Sequence, residues 1–301
     1  MNVSVVVTCW NGRKLLERNF VSVLKAVLND QNRIVEVIVV DDGSTDDSVE
    51  YITKFKVQSS KFKVRLIKHE RNLGYSATCN TGVKEAIGGL VAILNLDVVP
   101  NEDFLKKTLV HFGNERIFAV SFNEGKFGPG KIIWENGLIG IAPTEIPTKT
   151  VKTGWASGGS SVFRKDVWEK LGGMDELFLP FYFEDIDLGI RAYKAGYSCL
   201  FEPEAKVEHE HESTINPSNF KRNFIDNIKQ RNRLLLTWKN IDSFSLLISH
   251  FTAVGKMCLK SPGYIKIILI SLSRWFTSLK KGSIAQNIST KDILNLNEKI
   301  I

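Results

Sequence analysis

Four short apolar runs, separated by segments of helical period, fill the first hundred residues. Val3–Thr8 reads VSVVVT, continuous rather than alternating, as strands covered on both faces of a parallel sheet are. Asn11-Gly12 turns the chain, and Leu16, Phe20, Leu24 and Leu28 then recur at helical spacing. Val35–Val40 is the second run and closes on Asp41-Asp42-Gly43-Ser44. Ser44-Thr45-Asp46-Asp47 is a capping signal for a helix marked by Val49, Ile52 and Phe55. Val64–Ile67 is the third run, and a helix over Tyr75–Ile87 leads to the fourth, Val91–Leu96. This alternation leaves few options beyond an α/β fold with a parallel sheet and helices on both faces. Ligands of such sheets bind beyond the carboxyl ends of strands. Asp41, Asp42 and the Asn95-Leu96-Asp97 corner therefore become the first candidates.

The later chain is less regular. Asn123 to Thr153 is rich in Gly and Pro and reads as loops and short strands laid over the sheet. Gly158–Phe163 opens a second ordered block, followed by a helix over Lys165–Leu171. A helix over Glu184–Ala195 is closed by Gly196, and Ser198–Phe201 reads as a short strand. The 43% hydrophobic and 24% charged composition excludes a disordered or fibrous chain. Cys9, Cys79, Cys199 and Cys258 form neither a metal-spaced pair nor a disulfide framework, which fits a reducing compartment. No basic residue precedes the opening apolar run, so a signal peptide is not expected. No uncharged stretch reaches the ~20 residues that a membrane span needs.

Charge divides the chain. Residues 1–214 carry 26 Lys/Arg against 29 Asp/Glu, and residues 215–301 carry 14 against 4. A near-neutral body thus bears a basic tail that asks for an anionic partner. In that tail Phe220, Phe224, Ile228, Leu235 and Trp238 share one face of a long helix. Ser243–Gly255 is apolar but too short to span. Over Tyr264–Lys281, Lys266, Ser273, Thr277 and Lys281 lie opposite Ile267, Ile268 and Trp275. Basic residues with Trp and Tyr suit a helix lying on an anionic bilayer; a helical cap on the body or a dimer contact is the plainer alternative.

Several residues carry chemistry. Asp42, with Asp41 beside it, can accept hydrogen bonds from a base or a ribose, whereas Asp46 and Asp47 only cap a helix. Asp97 is a hard ligand for Mg²⁺ or Mn²⁺, ions that neutralise a diphosphate; a turn residue before Pro100 is the alternative. Glu184-Asp185-Ile186-Asp187 opens a helix behind Phe178, Phe181, Tyr182 and Phe183. Apolar walls raise a carboxyl pKa and suit a general base, although acids also favour a helix start. His209 and His211 alternate with Glu208, Glu210 and Glu212, so a metal ligand competes with a solvated loop. Gly158-Gly159 and Asn72-Leu73-Gly74 let backbone approach a ligand, or simply turn. Dinucleotide and P-loop fingerprints are absent, as is a nucleophile motif.

Taken in order, these segments resemble the inverting glycosyltransferases of family 2, and especially a rhamnosyltransferase-like bacterial branch. The resemblance spans about residues 3–240. It is carried by VVVTCWNG (5–12), VIVVDDGSTDDS (37–48), NLGYSATCNTG (72–82) and LNLD (94–97). It continues through ASGGSSVFRKDVWEKLGGMDE (156–176), FEDIDLGIRAYKAGY (183–197), EPEAKVEHEHEST (202–214) and QRNRLLLTWKN (230–240). It implies a GT-A fold over residues 1–214, with a nucleotide-binding half to about residue 100 and an acceptor half beyond it. Residues 215–301 follow as a basic, membrane-associating helical segment.

By position, the resemblance assigns Thr8 and Asp42 to the nucleotide, with Asp41, Asn72, Gly74 and Asn95 around them. Asp97 matches the last acid of the Asp-x-Asp metal motif, and His209 the metal-proximal His. Asp185 matches the catalytic base, and Glu184 shapes the acceptor site. Trp155, Ser157, Gly158 and Gly159 line donor sugar and acceptor. Three departures stand out: Asn95 replaces the first acid of the metal motif, Trp10 replaces a usual Tyr, and His209 competes with His211. The implied reaction is a single displacement moving a sugar from a dTDP- or UDP-sugar to a saccharide or lipid-linked saccharide. It is helped by Mg²⁺ or Mn²⁺ and sited at the cytoplasmic face of the cell membrane. A sugar-phosphate nucleotidyltransferase lacks its Gly-rich basic signature here, and a receiver domain has no use for the late acidic and His motifs. A transferase-fold pseudoenzyme is the alternative that Asn95 favours. No nucleic-acid module accompanies the basic tail.

Overall fold

The computed structural model describes residues 1–55, 62–210, 220–278 and 288–296. The strands are β1 (Val3–Cys9), β2 (Ile34–Asp41), β3 (Lys63–Lys68), β4 (Leu90–Asn95), β5 (Val98–Pro100), β6 (Ile117–Asn123), β7 (Gly130–Glu135), β8 (Leu138–Pro143), β9 (Val151–Thr153), β10 (Ser160–Arg164) and β11 (Ser198–His209). The helices are α1 (Arg13–Leu28), α2 (Ser48–Lys54), α3 (Tyr75–Glu85), α4 (Lys165–Leu171), α5 (Glu184–Lys194), α6 (Arg222–Asn240), α7 (Phe244–Lys260), α8 (Tyr264–Ser278) and α9 (Thr290–Leu296).

The main sheet runs β3-β2-β1-β4-β10-β6-β11-β5, with β9 also paired to β11. Its first four strands are parallel, and β10 enters antiparallel between β4 and β6. The expected α/β sheet with helices on both faces is therefore present. Alternation along the continuous apolar strands builds two cores. Val5 and Val7 face Leu16 and Phe20 of α1, while Val6 faces Cys79 and Val83 of α3. Burying each such side chain contributes roughly 1.5–3 kcal/mol. Leu28, expected on the same stripe as Leu16 and Phe20, instead lies exposed at the end of α1.

The turn after β2 holds more than its own helix. Asp46 accepts hydrogen bonds from Ser48 N–H at the start of α2 and from Arg13 N–H at the start of α1. Ser48 and Ser44 hydroxyls accept from Gly12 and Asn11 N–H. One Ser/Asp loop thus satisfies the free amides of two helices and fixes the ends of β1 and β2 together.

One expectation is corrected and another made more definite. The strand at Ser198 does not stop at Phe201 but runs to His209, bulging between Glu202 and Lys206 against β6 before it pairs with β5 from Val207 on. Ala205 and Val207 point inward while Glu204, Lys206 and Glu208 face water, so this end is a half-buried, alternating strand. His209 is consequently a strand terminus rather than a loop residue. Asn123 to Thr153 also contains a regular hairpin, β7–β8, turned by Asn136 and Gly137 at φ 53° and 73°.

Helix α6 packs into the body through Leu234, Leu235 and Leu236, all fully buried. Helices α7 and α8 follow on its outer side. The boundary expected near residue 214 lies outside the described residues, as does His211. Among the described residues no helix is long and apolar enough to cross a membrane.

Candidate functional site

Three parallel strand ends converge. Thr8 at the end of β1 pairs in register with Asn95 at the end of β4, and its hydroxyl donates to Asn95 Oδ1 at 3.2 Å. The backbone N–H of Asn95 donates to the Gly159 carbonyl at 2.9 Å. A Cβ at Gly159 would stand 2.2 Å from the Asn95 amide, so only glycine fits there. Asp42 follows β2, and its carboxylate accepts from the N–H of Leu73 and Gly74 at 2.8 and 2.9 Å. His69 Nδ1 lies 2.7 Å from the same carboxylate. Asp42 therefore organises the Asn72–Gly74 loop with both oxygens. Asp41 turns inward: Oδ2 accepts from Ser44 N–H, and Oδ1 is buried with no hydrogen-bond partner among the described residues.

A cleft of about 760 Å³ opens beyond these ends, within the usual range for small-molecule sites. Thr8, Asp42, Asn72, Gly74, Asn95, Asp97 and His209 line its polar wall. Trp10, Tyr75, Phe127, Phe181, Tyr182 and Phe220 line an aromatic wall, with Lys126 and Lys229 adding two cations. The structure thus gathers seven of the expected residues into one cavity. Asp41, Trp155, Ser157, Gly158, Gly159, Glu184 and Asp185 lie outside its lining. Trp155 packs its ring on Gly130 and joins the core around Phe178 and Ile190.

Asp97 and His209 meet at the cleft floor, with His209 Nε2 3.3 Å from Asp97 Oδ1. The other ring nitrogen, Nδ1, lies 2.9 Å from Glu124 Oε2. Burial works against a charged ring, but the flanking carboxylates prevail and raise the His209 pKa to about 9. Glu124 also accepts from the hydroxyls of Ser157 and Ser160. It follows β6 and reaches His209 because β6 and β11 run side by side.

Glu184 and Asp185 start α5. Burial raises both carboxyl pKa values, and the Asp185 charge pushes Glu184 further up. Asp185 has a counterweight: Gly158 and Ile186 N–H donate to it at 3.2 and 2.8 Å. Glu184 Oε2 is buried with no partner among the described residues. The pair therefore shares one proton over a range above that of ordinary carboxylates, with the proton on Glu184 and the charge on Asp185. Tyr75 lines the cleft and packs against the Gly158 position, which links the pair to the cavity wall. Asp187 belongs elsewhere. It is fully buried between Arg191 and Lys239, at 2.7 and 2.8 Å, and these cations hold its carboxyl below the usual range despite burial.

The loop before α5 is strained and clamped. Tyr182 and Phe183 sit at φ 75° and 79°, costly for residues with a side chain. Asn232 of α6 donates to the carbonyls of Phe178, Phe181 and Tyr182 at 2.6, 2.9 and 3.0 Å. Asn232→Ala leaves these groups without their donor and is expected to cost at least about 2 kcal/mol in urea unfolding. A loss below about 0.5 kcal/mol, typical of surface substitutions, would show that the loop holds itself.

Sequence reading passes over Glu124, His69, Lys126 and Lys229. The first two carry no local signal, because their partners are distant in sequence.

Comparison with known proteins shows the family and the fold. The family model of glycosyl transferase family 2 matches residues 4–172, and that of glycosyl transferase family group 2 matches residues 146–285. A pre-mycofactocin glycosyltransferase of Mycobacterium tuberculosis is 28% identical over 61% of this chain and 39% of its own length. A poly-beta-1,6-N-acetyl-D-glucosamine synthase of Staphylococcus aureus is 26% identical over 67% of this chain and 48% of its own. The chain spans between 24% and 54% of the length of such curated relatives. Among solved structures, GalNAc-T7 with UDP, GalNAc and Mn²⁺ superposes with a TM-score of 0.64 at 16% identity. That match covers 81% of this chain and 49% of the other, and it shows the GT-A fold.

Proposed function

This chain belongs to glycosyl transferase family 2, and from that premise we propose that it moves a sugar from a nucleotide-diphosphate sugar to a hydroxyl of a saccharide or lipid-linked saccharide. The observation that carries this reading is the cleft at the strand ends, where Thr8, Asp42, Asn72, Gly74 and Asn95 face Asp97 and His209. A UDP-sugar donor draws support from the UDP in GalNAc-T7. The dTDP-rhamnose alternative rests on the motif resemblance. Surface-polysaccharide synthesis draws support from the poly-N-acetylglucosamine synthase relative.

The residues fit a divalent cation. Among the described residues no three His, Cys, Asp or Glu groups are arranged to hold an ion alone. Asp97 and His209 provide two ligands beside an open cavity, and Mg²⁺ or Mn²⁺ commonly takes its remaining ligands from substrate phosphates and water. Such an ion would offset charge on the leaving diphosphate. Asp185 accepts the proton of the acceptor hydroxyl as that oxygen bonds to the anomeric carbon. The bond from that carbon to the diphosphate oxygen breaks in the same displacement, which inverts the configuration. Glu184, neutral at neutral pH, shapes the acceptor side. The reading places the protein in the cytoplasm, peripheral to an anionic membrane.

Calorimetric titration with UDP, dTDP, GDP and CMP, each with and without Mn²⁺, tests this reading. One nucleoside diphosphate is expected to bind selectively and more tightly with the metal. Binding of none would turn the reading toward a transferase-fold pseudoenzyme, which Asn95 favours.

A further inference from the structure

Helix α8 has three faces rather than two. Ile267 and Ser271 are buried, and Trp275 packs edge-on against Trp238 of α6 at 6.3 Å between ring centroids. Tyr264 also packs inward. The aromatic residues expected at a bilayer are thus spent on the body. Lys266, Ser273 and Thr277 form a polar face. Between the two lies a second apolar row, Ile265, Leu269, Leu272 and Phe276, at spacings of four, three and four residues. All four are exposed, Leu269 by 61% and Phe276 by 67%.

Helix α7 repeats the pattern. Leu246 and His250 face the body, while Phe244, Leu247, Ile248 and Phe251 form an outward row, with Phe251 66% exposed. A helix that is apolar beyond its packed stripe needs a second apolar environment. The charges say which one. From Ser243 to Lys281 there is no acidic residue, while Lys256, Lys260, Lys266, Arg274, Lys280 and Lys281 are basic. A protein interface would bring mixed charge to its rim, whereas anionic lipid headgroups ask for positive charge alone.

We propose that the outward rows of α7 and α8 form a surface that inserts into the headgroup boundary of an anionic bilayer. This rests on the peripheral-membrane reading above and commits it to two helix faces. The surface enters one leaflet without spanning it, and adjacent lysines meet lipid phosphates.

Flotation of the whole chain with vesicles tests it. One vesicle is phosphatidylcholine alone; the other mixes it equally with phosphatidylglycerol. The native chain is expected to float with the mixed vesicles and to release at high salt. The triple variant Phe251→Ser, Leu269→Ser, Phe276→Ser is expected to lose at least about tenfold in binding. All three side chains are exposed, so an unchanged melting temperature checks that the variant is folded. Equal flotation of variant and native chain would overturn the surface and leave the membrane reading in place. Failure of the native chain to float would overturn both. A dimer of the native chain that dissociates in the variant, without flotation, would assign the faces to a second copy.

Discussion

Asp185→Asn is expected to lower sugar transfer by about 10²–10⁴-fold, the usual contribution of a positioned general base. Affinity for the nucleoside diphosphate should be unchanged, because Asp185 lies outside the lining of the nucleotide cleft. Glu184→Gln separates the two adjacent acids. Both carboxyls are raised by burial, but only Asp185 receives backbone N–H groups at Gly158 and Ile186 that favour its charged form. Asp185 therefore ionises while Glu184 still holds its proton. A base must be ionised to act, so transfer should rise with pH through a range above that of ordinary carboxylates. A glutamine at 184 imitates the neutral acid already there, so Glu184→Gln should keep most activity and the same acid limb. At higher pH it should also spare the site the second negative charge that forms as Glu184 ionises. Steady-state rates across pH for both variants decide the matter. A loss confined to Glu184→Gln would assign the base to Glu184, and full activity in Asp185→Asn would remove Asp185 from the reaction.

Much of this architecture is legible in the sequence, for a physical reason. Strands covered on both faces, such as β1 and β4, must be apolar at nearly every position, and that signal needs no partner to be seen. The strand ends follow from them, and with those ends Thr8, Asp42, Asn95 and Asp97. The distal half of β11 is harder, because Glu204, Lys206 and Glu208 look like a charged loop until the inward Ala205 and Val207 are seen in register with β5. The β7–β8 hairpin was open to reading: Asn136-Gly137 is a strong turn signal that the surrounding glycines and prolines obscure. Glu124 is different in kind. It sits in an Asn-Glu-Gly turn with nothing local to mark it, and its meaning depends on a histidine that only sheet pairing brings near. The third face of α8 is legible by spacing alone. Its exposure is not, because burial of Ile267 and Trp275 depends on how α6 and α8 pack.

The cation site provides the second large effect. Asp97→Ala is expected to weaken Mn²⁺ binding, measured with the nucleoside diphosphate present, by more than about 100-fold. The argument is one of ligand count. Asp97 and His209 are the two proposed ligands in the cleft lining, and Asn95 stands where a further acid would help. If Asp97 and His209 are the two protein ligands, losing one removes half of what the protein provides, and among the described residues no group of three His, Cys, Asp or Glu is arranged to hold the ion without it. Glu124→Gln should act more mildly, by about tenfold, because Glu124 acts through His209. Held 2.9 Å from Nδ1, it orients the ring so that Nε2 faces Asp97 and the cavity. An amide in its place can still accept a hydrogen bond but brings no charge. The two variants should therefore rank in metal affinity, while nucleotide binding without metal stays equal in both. If Asp97→Ala left the Mn²⁺ dependence of nucleotide binding intact, the cation would lie elsewhere. If Glu124→Gln matched Asp97→Ala in severity, Glu124 would itself be a ligand, with the ring rotated to let it reach the ion.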